Sequence, residues 1–218
     1  ESPHMFYLTD EPHGLPHNPF NALVVPRPIG WISSQDSKGH VNLAPYSFFN
    51  AVAYSPPQVM FATSGPHEED DGLKDTISNI QETGEFVVNI ATWDLRHAMN
   101  ATSAPAPRDV DEFEAVGLEK EASQMVGPPR VAASPIHLEC TYDQTVELPK
   151  TDPNDSNLVV FGTVVGIHIN DDIMAGGKVD LMKADIIGRL GYRDYTRVTD
   201  IFSLARPDWP IEPVEPVE

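Results

Sequence analysis

The segment IHLECTYDQTVEL, Ile136 to Leu148, confines this chain to a sheet-based fold. Ile136, Leu138, Cys140, Tyr142, Val146 and Leu148 fall on one side of an extended segment; His137, Glu139, Thr141, Asp143, Thr145 and Glu147 fall on the other. Strand side chains point alternately to two faces, so this order lays one face on a core. A helix would scatter the same residues around its circumference. The turn-rich KTDPNDSN follows, and LVVFGTVVGIHIN returns the chain, which predicts an antiparallel hairpin. Shorter strand patterns lie at 29–35, 51–54 and 58–64, and EFVVNIA sets Phe86, Val88 and Ile90 against Val87 and Asn89. A helix is predicted from Leu73 to Thr83, ended by Gly84, with Leu73, Ile77 and Ile80 on one face. Short helical pieces are predicted at 94–102 and 111–121. Many short strands with a few inserted helices predict a mainly β chain, a β-barrel with accessory helices, because closure removes exposed sheet edges.

The rest of the chain reads as appendages to that barrel. Residues 1–28 are rich in Pro, His, Gly and Asn and are predicted to form an extended arm; 29–207 form the domain; DWPIEPVEPVE, 208–218, is a Pro/Glu-rich tail. No run approaches the roughly 20 apolar residues of a membrane span. The first residues lack a basic and apolar leader pattern, so a cytoplasmic protein is expected. One cysteine, Cys140, excludes an internal disulfide and a multi-cysteine metal site; on the apolar side of its strand it reads as a buried thiol. The net charge of −19, from 33 acidic and 14 basic residues, argues against nucleic acid and anionic membrane as partners. Any bound phosphate must then be met by local donors. The histidines form no metal pattern, since Gly14 and Pro16 break the helix that His13 and His17 would need. Phosphate-loop, dinucleotide and nucleophile-elbow motifs are missing from the sequence.

Two stretches stand apart from ordinary core sequence. In PRPIGWISSQDSKGHVNLAPYSFFNAV, Pro26 to Val52, the polar or ring-closed residues Asn42, Pro45, Ser47 and Asn50 interrupt large aromatics. A fully paired strand would not need them. In LKDTISNI, Leu73 to Ile80, a lysine, a carboxylate and a hydroxyl cluster at a helix start. Asp75 or Thr76 is a candidate cap. The same residues suit a phosphate site, where free N–H groups carry partial positive charge and Lys74 and Thr76 add donors.

Taken in order, PRPIGWISS, NLAPYSFFNAV with SPP, KDTISNI, GEFVVNIA and GRLGYRDYTRV resemble the flavin reductase-like family, the FMN-binding split-barrel proteins that include flavoredoxins. The resemblance runs from about residue 13 to 207. It implies a Greek-key split barrel, a homodimer, and FMN held near the subunit interface. It implies an oxidoreductase in which NADH or NADPH reduces the flavin, with electrons passed to an oxygenase or another acceptor. Two alternatives stay open: an electron-transfer flavoprotein without efficient nicotinamide turnover, and a split-barrel enzyme acting on an organic substrate, its pocket shaped by Tyr192 and the arm around His17. No separate catalytic side chain is implied, because the flavin itself accepts the hydride.

Residue by residue, the resemblance places Ala44, Pro45, Tyr46, Ser47, Phe48, Phe49 and Asn50 against the flavin ring. Of the two phenylalanines, one is expected in the core and the other near the ring. Ser33 and Ser34 match hydroxyls near the ribityl chain and phosphate. Lys74, Asp75 and Thr76 match the phosphate loop, with Asp75 capping the helix or orienting Lys74. Arg189 is the candidate contact to cofactor or anionic substrate, set against an ordinary surface ion pair. The acidic run from His67 to Asp71 is expected to be a solvated excursion, and Tyr192 is expected to restrict nicotinamide access. Apolar Phe6, Leu15, Phe20 and Leu23 are expected to be buried by dimerisation.

Overall fold

The computed structural model describes residues 4–64 and 73–210, so the acidic run before Leu73 and most of the Pro/Glu-rich tail lie outside the described residues. The arm is not extended throughout. It carries one helical turn, α1 (Phe20–Leu23), and a short strand, β1 (Arg27–Pro28). Then come β2 (Gly30–Gln35), β3 (Val41–Tyr46), β4 (Phe49–Tyr54), β5 (Pro57–Thr63), α2 (Asp75–Thr83), β6 (Glu85–Ile90), α3 (Arg96–Ala101) and α4 (Glu112–Val116). The pair β7 (Lys120–Glu121) and β8 (Arg130–Val131) precedes the long strands β9 (Ile136–Glu147) and β10 (Leu158–Ile169). A small hairpin, β11 (Met174–Ala175) with β12 (Lys178–Val179), leads to α5 (Leu181–Ala184), β13 (Ile187–Arg189) and β14 (Tyr195–Arg197).

Seven strands form one antiparallel sheet in the order β3-β2-β6-β9-β10-β5-β4, and β1 joins β13 and β14 in a smaller one. β3 and β4 are consecutive in the chain yet occupy opposite ends of the large sheet, so the sheet must curl until its ends meet. Along that seam side chains replace a ladder. Tyr46 of β3 packs its ring 4.8 Å from that of Phe61 on β5. A Cβ on Gly30 would sit 2.7 Å from the Phe49 ring, so only glycine lets β4 lie across β2. One backbone bond, Ala62 N–H to Phe48 O at 2.7 Å, fixes the turn between β3 and β4. The result is a split barrel with accessory helices.

Ile32, Phe49, Phe61, Phe86, Val88 and Cys140 fill the barrel, and α2 lays Ile77 and Ile80 against them. On the opposite face of β2 and β3, Trp31 and Leu43 pack with Met99, Phe113, Val131 and Ile187. The expected helix at 111–121 stops early because Gly117 turns left-handed (φ 72°) and Lys120 enters a strand pair. Neither Asp75 nor Thr76 caps α2: the N-cap position is Lys74, which makes no side-chain cap, and Asp75 is already in the first turn. The left-handed Gly84 ends α2 as expected.

β9 departs from the simple alternation in two ways. Asp143 is an extra residue opposite the Phe161–Gly162 step, and this bulge reverses the faces beyond it, leaving Val146 and Leu148 exposed. His137 and Glu139, on the side read as polar, are buried, because that side is covered by the 122–131 segment. Glu139 accepts the N–H groups of Gln124, Met125 and Val126 at 2.9, 2.6 and 3.2 Å and meets His168 Nε2. Gly127 N–H goes to Glu85 at 2.7 Å. Four consecutive amides thus end on two carboxylates. Burial pulls the Glu139 carboxyl upward, but the Gln124 and Met125 amides and the His168 ring outweigh it and hold it below the usual carboxylate range.

Candidate functional site

A cleft of about 930 Å³ opens where the β3–β4 turn, the start of α2, α3 and the β13–β14 hairpin converge. That is near the upper end of small-molecule sites. One wall is Pro45, Tyr46, Ser47 and Phe48. Pro45 lacks an N–H, and Ser47 and Phe48 lie between the strands, outside either ladder. Lys74, Thr63 and Ser64 also line it, as do Trp93, Arg96, His97 and Asn100 together with Arg189, Arg193, Tyr195 and Arg197. The arm closes a rim with Asn18 and Asn21. A Cβ on Gly191 would fall 2.2 Å from the Ala22 Cβ, so glycine there lets α1 seat on the 190–194 loop. Beside it His17 meets Tyr192, ring centroids 5.8 Å apart.

The lining is electrostatically one-sided. Arg27, Lys74, Arg96, Arg189, Arg193 and Arg197 all contribute to it, and among the described residues no aspartate or glutamate does. These are six of the 14 cations in a chain of net charge −19. Arg197 is held from behind by Asp185 in a two-pronged ion pair of 2.6 and 2.8 Å. The other five make no ion pair with a carboxylate among the described residues. Lys74 is half-buried, its Nζ 5.8 Å from the Tyr46 ring centroid, and burial pulls its pKa down. Arg27 is buried and donates to Asn21 O, Val24 O (2.9 Å) and Leu190 O (3.1 Å), which ties the arm to the loop after β13. Its Nε has no partner, and burial, then Arg189, lower its pKa. Arg96 stacks on Trp93 at 3.9 Å, Arg197 approaches the same indole at 4.8 Å, and Arg189 covers Tyr195 at 4.5 Å.

Of the residues singled out in the sequence, Pro45, Tyr46, Ser47, Phe48, Lys74 and Arg189 come together in this cleft. Phe49 goes to the core and Phe48 to the cleft, the division expected of that pair. Ala44 packs against the barrel core, and Asn50 is exposed on β4, accepting Ala51 N–H. Ser33 and Ser34 are fully buried away from the lining: Ser33 donates to Pro129 O at 2.6 Å, and Ser34 accepts from Asn79 at 3.2 Å. The Thr76 hydroxyl donates to Asn42 Oδ1 at 2.6 Å, and Asp75 pairs with Arg108 at 3.1 Å rather than with Lys74. Arg189 is in no ion pair among the described residues; it donates to Tyr192 O within the cleft rim. Trp93, Arg96, His97, Arg193 and Arg197 escaped the sequence reading. Their signal was present as WDLRH and GRLGYRDYTRV, two clusters of cations and aromatics in an otherwise acidic chain.

A family model described as "Flavin reductase like domain" matches residues 22–183. An uncharacterized protein of Deinococcus radiodurans is 37% identical over 210 residues, covering 92% of this chain and 88% of its own. Among solved structures, nitrilotriacetate monooxygenase component B from Bacillus cereus superposes with a TM-score of 0.79 at 28% identity, over 91% of this chain and 99% of its own. The 2-nitrobenzoate 2-nitroreductase of Pseudomonas fluorescens gives 0.75 at 30% identity, over 87% and 89%.

Proposed function

The chain belongs to the flavin reductase-like family, and from that premise we propose that it is an FMN-dependent oxidoreductase that takes hydride from NADH or NADPH and delivers electrons to an oxygenase component. The observation that carries this reading is the cleft that, among the described residues, is lined by six cations and no carboxylate in a strongly acidic chain. The residues present fit FMN. The half-buried Lys74 ammonium and the unpartnered Arg27 Nε are donors that a phosphate would satisfy. Thr63 and Ser64 add hydroxyls beside Lys74, and Pro45, Tyr46, Ser47 and Phe48 give a flat, partly apolar wall for the ring.

When bound, the flavin supplies hydride acceptance and electron transfer. The protein's part is position and field. Arg27 and Lys74 would neutralise and orient the phosphate, while Phe48, with Arg27 5.5 Å from its ring centroid, sets the depth at which a flat ligand rests. Tyr192 and the arm around His17 narrow the remaining opening. No helix among the described residues is long and apolar enough to cross a membrane, and we place the protein in the cytoplasm. A second copy of the chain would cover the exposed Phe6, Phe20 and Leu23 of the arm.

A second reading, direct reduction of an aromatic acid, draws on the likeness to the 2-nitrobenzoate nitroreductase and on the arginine-rich aromatic wall at Trp93. Titration of the purified protein with FMN, followed by NADH and NADPH added separately under argon, tests the reductase reading, and reoxidation of the reduced flavin by 2-nitrobenzoate under argon, with free FMN as the control acceptor, tests the second. Quenched flavin fluorescence and bleaching by a nicotinamide support the reductase. Binding without bleaching supports an electron carrier, and an unaltered flavin spectrum at saturating protein removes the flavin reading altogether.

A further inference from the structure

Charge balance in the cleft goes further than one cofactor. A phosphate dianion carries about two negative charges, so together with Asp185 it answers three of the six lining cations and leaves three. Asp94 also lies near Arg197 and helps hold it charged. Arg96, Arg189 and Arg193 remain, with no carboxylate partner among the described residues, and of these Arg189 is turned to Tyr192 O. Arg96 stands on a built wall, and Arg193 lines the same cleft from the loop between β13 and β14. The indole of Trp93 packs under the heads of Arg96 and Arg197 at 3.9 and 4.8 Å, the Trp93 main-chain N–H donates to Asp185 O at 2.9 Å, and the Asp185 carboxylate grips Arg197. Asp185 adopts the left-handed region (φ 52°), and this one residue holds both the Trp93 backbone and a guanidinium. This wall hangs from α3 and β14, whereas Lys74 stands at the start of α2.

Resting on the flavin reading, we propose that the cleft holds a second oxyanion beside the flavin phosphate, gripped by Arg96 on the Trp93 wall and by Arg193 of the β13–β14 loop, so that the second substrate is an anion. The planar fork of arginine matches a phosphate and a carboxylate equally well. The oxyanion is therefore either a phosphate of a nicotinamide dinucleotide or the carboxylate of an aromatic acid. The cleft volume of about 930 Å³ leaves room for a second ligand, since sites for a single drug-sized molecule start near 300 Å³.

The test uses FMN-loaded protein, as wild type, Arg96→Gln, Arg193→Gln, the double variant, and Arg96→Lys, which keeps the charge and the stem over Trp93. Calorimetric titration with NADP⁺, NAD⁺, 2-nitrobenzoate and uncharged nitrobenzene reads binding without turnover, and a separate fluorescence titration reads FMN affinity. The double variant should weaken one class of anion about tenfold or more, with nitrobenzene and FMN moving less than about twofold. Arg96→Lys should fall between. Loss confined to the dinucleotides identifies a phosphate, and loss confined to 2-nitrobenzoate identifies a carboxylate. The proposal is overturned if wild type binds no anion better than nitrobenzene, or if no anion weakens in the double variant. It is equally overturned if FMN affinity falls as far as the anions' does, because those arginines would then serve the flavin phosphate. Failure of wild type to bind FMN strikes the flavin reading instead, and the same anion titrations on the unloaded protein still decide this proposal.

Discussion

Replacing Lys74 by methionine keeps the aliphatic stem and removes only the charge, so it isolates what the ammonium contributes. A charge-assisted hydrogen bond is worth about 1.5–3 kcal/mol. The bare attraction of two unit charges 4 Å apart is about 4 kcal/mol at an effective dielectric near 20, but this cleft is open at its rim and solvent screens part of it. The smaller range applies, and at about 1.4 kcal/mol per decade the FMN dissociation constant should rise roughly ten- to a hundredfold. Riboflavin, which has no phosphate, should bind both proteins alike. The unliganded proteins add an independent readout. Lys74 carries a burial penalty and no ion pair among the described residues, so without ligand the methionine variant should melt no lower than wild type. Its native pKa lies below the unfolded value of about 10.4, and between the two the unfolded chain holds the proton that the native one has released. Wild-type stability therefore gains on the variant as pH climbs through that window. Fluorescence titration with both flavins and thermal melts across alkaline pH are the assays. Equal losses for FMN and riboflavin, or a variant that melts well below wild type, would refute the reasoning and move the phosphate toward Arg27.

Three further outcomes follow from the fold. Glu139→Gln should cost about 2–3 kcal/mol in urea unfolding at neutral pH; because the native carboxyl is held low, that difference is full above the unfolded value near 4.3 and vanishes as pH falls through the lower native one. Gly30→Ala drives a methyl against the Phe49 ring and should lower stability by about 1–3 kcal/mol in the same assay, whereas an unchanged urea midpoint would mean that the seam yields freely. Light scattering should give twice the 24.0 kDa of one chain, and a mass near 24.0 kDa at working concentration would exclude the homodimer.

The sheet was legible where period-two alternation met turn residues, as in β5, β6 and the β9–β10 hairpin, because burial on one face is a local property of sequence. What alternation cannot carry is a register fault. One extra residue at Asp143 sends Val146 outward, and nothing in the order of side chains announces it. Nor does it foretell a second cover: Glu139 reads as solvent-facing until the 122–127 segment wraps over it. The same limit governs the site. Pro45 to Phe48 and Lys74 stood out because they break the pattern of ordinary strands and helices. Ser33 and Ser34 were matched to ligand positions by the family resemblance, yet their strand is paired on both sides and both hydroxyls are spent on interior partners. Arg96 and Arg193 lie far apart in sequence, and only the packing of α3 beside the β13–β14 hairpin brings them to one cleft.

The gathering of six of the 14 cations in one recess has a kinetic meaning. At a distance an anion meets the whole molecule, which is negative by 19 charges, and is pushed away. Within a few ångströms of the mouth the charges it meets, among the described residues of the lining, are guanidinium and ammonium groups, and it is drawn in. The repulsion acts over a range comparable with the screening length, about 10 Å at 0.1 M salt, and fades as electrolyte is added. Capture inside the recess is at contact and fades far less. Added salt should therefore quicken arrival more than it shortens residence over the dilute range, the reverse of the usual behaviour of a cationic protein toward anions. A molecule built this way responds to the ionic content of its surroundings through how often its cleft is visited.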